Sequence, residues 1–352
     1  MNGFRILLCC GLIACARAAE PAPATAARSL TPPAAPSPTT SSRATEIGGS
    51  TNAAPALTDP LEQEFQKLLK LDDEAHEAAQ AIVDQAAASP DPLTAPLPLT
   101  TRGRIDQRLK PVREAYEEFL NHHPGHARAR MAFASFLNDT GNEAEATEHY
   151  EKARALNPTD PAVWNNLANI FAHSGPIEKA FPYYEEAIRL NPKESLYQHN
   201  FGTLIFLFRK DAARYFKCDE PAVFARALDL YARALALDPQ NFQLASDVAQ
   251  TFYGIPPTPG KAPEEARAEE IRLVDTALKS WTNAFSLASE HSEQEGILLH
   301  FARWNIRAGQ FDAARTNLSG VTNVAYLQVK QRLERNLAEK QSPPAKPVEV
   351  KQ

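Results

Sequence analysis

Small and aromatic residues recur through the middle of the chain at fixed intervals. Ala146, Tyr150 and Ala153 stand at i, i+4 and i+7 and so share one face of a helix. The same trio returns 34 residues later as Ala180, Tyr184 and Ala187. Gly141 and Pro158 bracket the first trio, and Gly175 and Pro192 bracket the second in the same register. Tyr116 and Pro124 lie 34 residues before Tyr150 and Pro158. A constant period of this length marks a repeat architecture.

Each position has a physical reason. The two alanines allow a partner helix to approach closely, while the tyrosine ring fills the gap between repeats. Gly141 and Gly175 fall where two helices turn, a place suited to a residue without Cβ at positive φ. Asn157-Pro158 and Asn191-Pro192 stop the second helix, because proline disfavours helix at the residue before it and cannot donate onward. The predicted unit is a helical hairpin whose apolar face only its neighbours can cover.

Further along, the period stretches. Ala227, Tyr231, Ala234 and Pro239 repeat the second-helix pattern 47 residues after Ala180, which predicts an insertion of 13 residues near Arg209–Pro221. Ala277, Trp281 and Ala284 follow 50 after Ala227 and place 16 extra residues around Gly254–Glu269. Gly309, Phe311, Ala314 and Leu318 mark a weaker fifth unit. The expected repeat region is 105–321, with full units 127–160 and 161–194, insertion-bearing units 195–241 and 242–291, and a weak unit 295–321. Val324–Lys340 reads as an amphipathic cap, within 322–340, over the last apolar face. Residues 61–88 read as a further helix in a segment 61–104, and 104–121 as the second helix of an incomplete first unit.

Trp164, Leu167, Ala168, Phe171, Gly175, Ala180, Tyr184, Ala187 and Pro192 fill nearly every signature position of the tetratricopeptide repeat. Residues 105–320 resemble that family, strongly over 127–194, moderately over 195–240 and weakly beyond. The resemblance implies an all-α fold, a right-handed α-solenoid of helix-turn-helix repeats, that binds a protein or extended peptide in its concave groove without catalysis. It also implies that the first helix of each hairpin lines the groove. The inward positions are then Asn165, Asn166, Asn169 and His173 in one unit and His199, Asn200 and Thr203 in the next. Asn166 and Asn200, 34 apart, are expected to stack. A primary amide both donates and accepts, so a column of amides can satisfy a peptide backbone whatever its side chains. The same asparagines could instead solvate the groove or tie helices together, and both readings stand. Met131 and Ser135 occupy the places where basic residues would clamp a terminal carboxylate, so that mode is not expected.

The ends of the chain have a different composition. Arg5, the apolar run Ile6 to Ala14 and the small residues after it have the layout of an export signal over 1–18. The run is shorter than the ~20 apolar residues that span a bilayer. Ala16-Arg17-Ala18 offers ordinary cleavage, whereas Leu12-Ile13-Ala14-Cys15 resembles the lipobox of bacterial lipoproteins, which implies lipidation of Cys15. Both routes predict export, and the second predicts a periplasmic or outer-membrane lipoprotein. Residues 19–60, dominated by Ala, Pro, Ser and Thr, are expected to form a disordered tether, and 341–352, with Pro343, Pro344 and Pro347, a disordered tail.

Composition narrows the function classes. A formal net charge of −6 provides no broad basic field, so nucleic acid is not an expected partner, and the membrane is approached only through the possible lipid anchor. Of 4 Cys, only Cys218 lies in the body, which excludes an intramolecular disulfide there. The 28 Pro outnumber the 14 Gly, an imbalance that argues against an all-β fold built on tight turns.

Candidate chemistry is sparse. Gly254 to Ala262 looks like a phosphate loop, but its glycine spacing is too long and Ala262 replaces the hydroxyl that would bind magnesium. His122, His123 and His126 lack further ligands at metal-binding spacing and read as residues at a helix C-terminus. Cys218 has no flanking His and reads as a semi-buried free thiol rather than a nucleophile. Trp164, Tyr150, Tyr184, Tyr231 and Trp281 read as core between repeats rather than as a ligand cage. No cofactor, metal or catalytic residue is expected. Two alternatives are an accessory subunit of envelope biogenesis or secretion machinery, and an enzyme built on the insertions 209–221 and 254–269. No acid–base or nucleophile arrangement can be assembled from those insertions.

Overall fold

The computed structural model describes residues 59–87, 99–258 and 260–341. The export signal with Cys15, the tether before Asp59 and the tail beyond Gln341 lie outside the described residues. Among the described residues, every regular element is helical. The chain divides into two compact units, the first ending at Leu230 and the second beginning at Tyr231.

In the first unit, α1 (Pro60–Ala87) packs against α2 (Leu99–His122). Phe65 meets Phe119, and Tyr116 donates its hydroxyl to the buried Asp72 at 2.7 Å, so the two helices run antiparallel. The helix that sequence spacing leaves without a partner is therefore half of a hairpin, and it begins before residue 104. Two regular hairpins follow: α3 (Ala127–Asp139) with α4 (Glu143–Leu156), and α5 (Pro161–Ser174) with α6 (Ala180–Leu190). Ala146, Tyr150, Ala153, Ala180, Tyr184 and Ala187 are all buried. Gly141 turns the first of these hairpins at φ 83°, with Asn142 N–H bonded to Leu137 O and Gly141 N–H to Asn138 O. These two hydrogen bonds satisfy carbonyls a helix end would otherwise leave open.

Repetition extends to the junctions. His126, Asp160 and Glu194, spaced 34 apart, each cap the helix that follows through a side-chain acceptor. The carbonyls of Pro124, Pro158 and Pro192 each accept from a side chain six residues later, from Arg130, Trp164 and Gln198 respectively. Three different donors thus perform one task, although the residues that supply them differ in type. Tyr116 stacks on Phe133 and Tyr184 on Phe201, with ring centroids 5.2 and 5.6 Å apart, and so these two second-helix tyrosines meet the next hairpin.

The first insertion is itself a helix. After α7 (Ser195–Leu207) comes α8 (Arg209–Phe216), and then α9 (Glu220–Leu237), which crosses the division between the units. Arg209 stands where Gly141 and Gly175 turn the earlier hairpins. Tyr215 and Phe216 of α8 pack against the fully buried Phe181, and Arg226 lies 4.6 Å over the Phe216 ring.

The second unit contains α10 (Phe242–Thr251), α11 (Pro263–Leu287), α12 (His291–Arg307), α13 (Phe311–Ser319) and α14 (Leu327–Gln341). The second insertion becomes irregular chain over 255–258 and 260–262 and the opening turns of α11. Leu299, Ala302 and Ile306 of α12, Ala314 and Leu318 of α13, and Leu333 and Leu337 of α14 form one apolar cluster. Gly320 lets the chain pass Leu298 closely, since an added Cβ would lie 2.8 Å from Leu298 Cδ1.

Candidate functional site

The first helix of each hairpin positions the amides. Asp160 caps α5 and Pro161 sets its first turn, which brings Asn165, Asn166, Asn169 and His173 onto successive turns. Glu194 starts α7, which carries His199, Asn200 and Thr203. α5 packs against α7, and the amides meet there.

The register differs from sequence spacing by one residue. Asn200 Nδ2–H donates to Asn165 Oδ1 at 3.0 Å, and Asn165 Nδ2–H donates to Asn166 Oδ1 at 3.3 Å. Asn165 is only 2% exposed, so it serves as the internal link, while Asn166 and Asn200 are partly exposed. Asn200 is therefore joined to the residue 35 before it, not 34, because the side chains lean between neighbouring helices. The bonds run head to tail, which polarises the last amide in the chain. Among the described residues nothing accepts from Asn166 Nδ2, so its N–H groups remain available for a ligand.

The other candidates are held from their own sides. Asn169 is exposed, and its Oδ1 accepts the buried Tyr184 hydroxyl at 2.5 Å, which leaves its N–H groups outward. Burial raises the Tyr184 phenol, which keeps it a donor. His173 Nε2 lies 3.2 Å from Glu143. His199 and Thr203 are partly exposed, and each has a partner of its own. The ensemble can donate and accept hydrogen bonds and contains no nucleophile with an adjacent base.

Trp164 is not core: it is half-buried against Tyr183, with the Arg154 guanidinium 5.0 Å over its ring. Its indole N–H has a backbone task at Pro158, which requires a place at the helix edge. Tyr150, Tyr184, Tyr231 and Trp281 are buried. His126 does not sit at a helix C-terminus; it caps the N-terminus of α3 and lies between Phe65 and Phe119, where burial first and Arg128 second lower its pKa. Among the described residues no group of three His, Cys, Asp or Glu is placed to hold a metal ion. No described helix is long and apolar enough to cross a membrane. Cys218 is a half-buried free thiol.

At the second insertion, Phe252, Ile255, Pro257, Glu269, Glu270 and Leu273 help line a cleft of about 260 Å³. Its carboxylates are engaged. Glu269 accepts from Thr258 Oγ1 at 2.6 Å and Lys261 Nζ at 2.9 Å, and these two donors hold it below the usual carboxylate range. Glu270 pairs with Arg307 at 2.8 Å. Lys261, the lysine of the phosphate-loop look-alike, is thereby occupied.

The spacing pattern gave no sign of a stack in the second unit. Trp281 lies on His300, Tyr253 bonds His300 Nδ1 at 3.1 Å, and Tyr253 stacks on Trp304. Burial, with Arg303 second, pushes the His300 pKa down to about 3. The residues come from three separate elements, and of the four only Trp281 stands at a position of the repeat pattern.

Residues 127–170 and 161–194 match two family profiles, both described as tetratricopeptide repeat. No curated protein matches the chain. Among solved structures, the chain is similar to PilF of Pseudomonas aeruginosa at 19% identity, with 76% of this chain and 98% of that one covered and a TM-score of 0.46. It is also similar to PilW, described as a widely conserved type IV pilus biogenesis factor, at 16% identity, 67% and 95% coverage and a TM-score of 0.48. YrrB, described as a TPR protein with an unusual peptide-binding site, shares 15% identity over 62% of this chain and 95% of its own, with a TM-score of 0.37.

Proposed function

We propose that the tetratricopeptide repeats at 127–194, continued by α7, bind an extended segment of a partner protein and that the chain is a non-catalytic scaffold. The observation that carries this reading is the amide chain from Asn200 through Asn165 to Asn166. It leaves donors at Asn166 and an acceptor at Asn200 on neighbouring helices, a pairing that suits a peptide backbone. Asn169 adds a further outward amide. Specificity for side chains then comes from the groove positions His173, His199 and Thr203.

Asn166→Asp tests it. This change keeps the oxygen that Asn165 bonds and replaces the N–H donors with an acceptor. The expected result is loss of partner recovery with an unchanged melting temperature. Equal recovery from wild type and variant would overturn the reading. A photo-crosslinker at Asn169, used in intact cells, would identify the partner and show whether it belongs to envelope biogenesis or secretion machinery.

The same proposal places the protein in the bacterial envelope, held by lipid on Cys15 and a Pro-rich stalk, and rests on the sequence of residues 1–60. Cys15→Ala should release the protein from the membrane fraction and leave its precursor uncleaved. Membrane association that survives the change would refute the anchor.

A further inference from the structure

We propose that the cleft between Ile255–Pro257 and α11 is the docking site for a segment of this same chain, the Pro-rich residues 342–352 that follow α14. One wall is Phe252 with the irregular chain Ile255–Pro257, and the other is the face of α11 that carries Ala266 and Leu273. The space between them is about 260 Å³. Polar ties fix its edges. Glu269 of α11 accepts from Thr258 Oγ1 at 2.6 Å and Lys261 Nζ at 2.9 Å, and Glu270 accepts from Arg307 at 2.8 Å. A site fixed in advance avoids the ordering cost of forming it on binding.

The walls select the kind of chain that fits. Pro256 and Pro257 have no backbone N–H, so their wall offers carbonyls but not the alternating donors that a pairing strand requires. Strand addition is thereby excluded. A polyproline-II segment needs no such ladder and docks through its apolar side chains. Within 342–352, Pro344, Pro347 and Val350 are spaced three apart, so in that conformation they share one edge. The spacings agree as well. One polyproline-II turn rises about 9.3 Å, and Ala266 and Leu273, on one face of α11, are about 10.5 Å apart along the helix axis.

The route from α14 to the cleft is short. Gln341, the last residue of α14, accepts from Arg315 Nη1 at 2.9 Å. Arg315 stands about 6 Å along α13 from its first residue, Phe311. That start is joined to the end of α12 by the tight turn in which Gln310 N–H bonds Asn305 O. The last residue of α12 is Arg307, which holds Glu270 at the cleft. Residues 342–352 therefore leave α14 at the same end of the α12/α13 hairpin as the cleft, and each adds about 3.1 Å of reach. A short covalent attachment gives the segment a local concentration on the order of millimolar, an advantage over a free partner. Docked there, it ties the end of α14 to α11 across α12.

Photo-crosslinking in the full chain tests the site. With p-benzoylphenylalanine in place of Thr276, an exposed residue of the cleft wall, irradiation should join α11 to residues 342–352 of the same chain, as mapped by peptide mass spectrometry. The same group in place of Asp275, exposed on α11 but outside the cleft, should capture that segment at least about fivefold less. Adding Pro344→Ser/Pro347→Ser to the Thr276 probe should lower its yield by a similar factor. Equal yields at 275 and 276, or an undiminished yield in the proline variant, would overturn the proposal, because tethering alone would then explain the contact. So would a crosslinked dimer, which assigns the cleft to a second copy, or the absence of any product with 342–352.

Discussion

Asn200 of α7 donates to the buried Asn165 of α5 across 3.0 Å, and this one bond ties two successive repeats together. Asn165 has exchanged water for two neighbours of its own kind. Removing the donor from such a buried acceptor costs about 1–3 kcal/mol. Asn200→Ala should therefore lower stability by that amount in urea unfolding. Asn165→Ala/Asn200→Ala should cost less than the sum of the single changes, because neither partner is then left behind. Additive losses would show that the bond contributes nothing.

His300 gives the second unit a specific acid sensitivity. Its folded pKa, held near 3, lies below the unfolded value of about 6.5. Between those two values the unfolded chain binds a proton that the folded chain refuses, so stability falls as pH falls. The slope from one such group reaches about 1.4 kcal/mol per pH unit. His300→Phe, which keeps a ring on Trp281, should flatten the stability profile between pH 6.5 and 4.5. A profile of unchanged slope would contradict the burial of a neutral imidazole.

Glu295 acts at lower pH. Its carboxylate is 1% exposed and accepts from Thr322 N–H at 3.1 Å, Thr322 Oγ1 at 2.7 Å and Asn323 N–H at 2.7 Å. Burial alone would raise its pKa, but these donors, with His291, hold it below 4.5. A depressed carboxyl contributes stability that is present above the unfolded pKa and lost as pH falls through the folded one. Glu295→Ala should cost about 3 kcal/mol at neutral pH and remove this residue's share of the loss below pH 4.5. Amide exchange at Thr322 and Asn323 is the direct check, and protection that persists in the variant would refute the role.

Two glycines predict opposite signs for one substitution. Gly141 has φ 83°, so Gly141→Ala should destabilise by about 1–2 kcal/mol although no atom lies near the new methyl. Gly103, inside α2, also has open space around it but has no positive φ. Gly103→Ala should stabilise by about 0.5–1 kcal/mol. Melting curves of the two variants decide it, and equal shifts would show that backbone conformation is not the cause.

The helical hairpin was legible because its signals are local. An i, i+4, i+7 trio fixes a helix face wherever it occurs, and Gly141 and Gly309 turn the chain at positive φ through their own backbones. The resemblance carried by Trp164 to Pro192 is matched by the family profiles over the same residues. Trp164 itself was misplaced in the core because its position in the repeat does not say which edge of the helix the ring leaves. The role of α8 was equally hidden: the lengthened period counts extra residues but cannot show Tyr215 stacking on Phe181.

The candidate site divides along the same line. Sequence alone determined the all-α fold, the two regular hairpins and which residues stand on the first helix of each, since these depend on contacts within a few residues of chain. Tertiary structure alone decided that Asn200 meets Asn165 rather than Asn166 and that His300 lies buried on Trp281. Those outcomes depend on the small rotation and offset between packed helices. A shift of one side chain's reach there changes the partner while leaving the period intact.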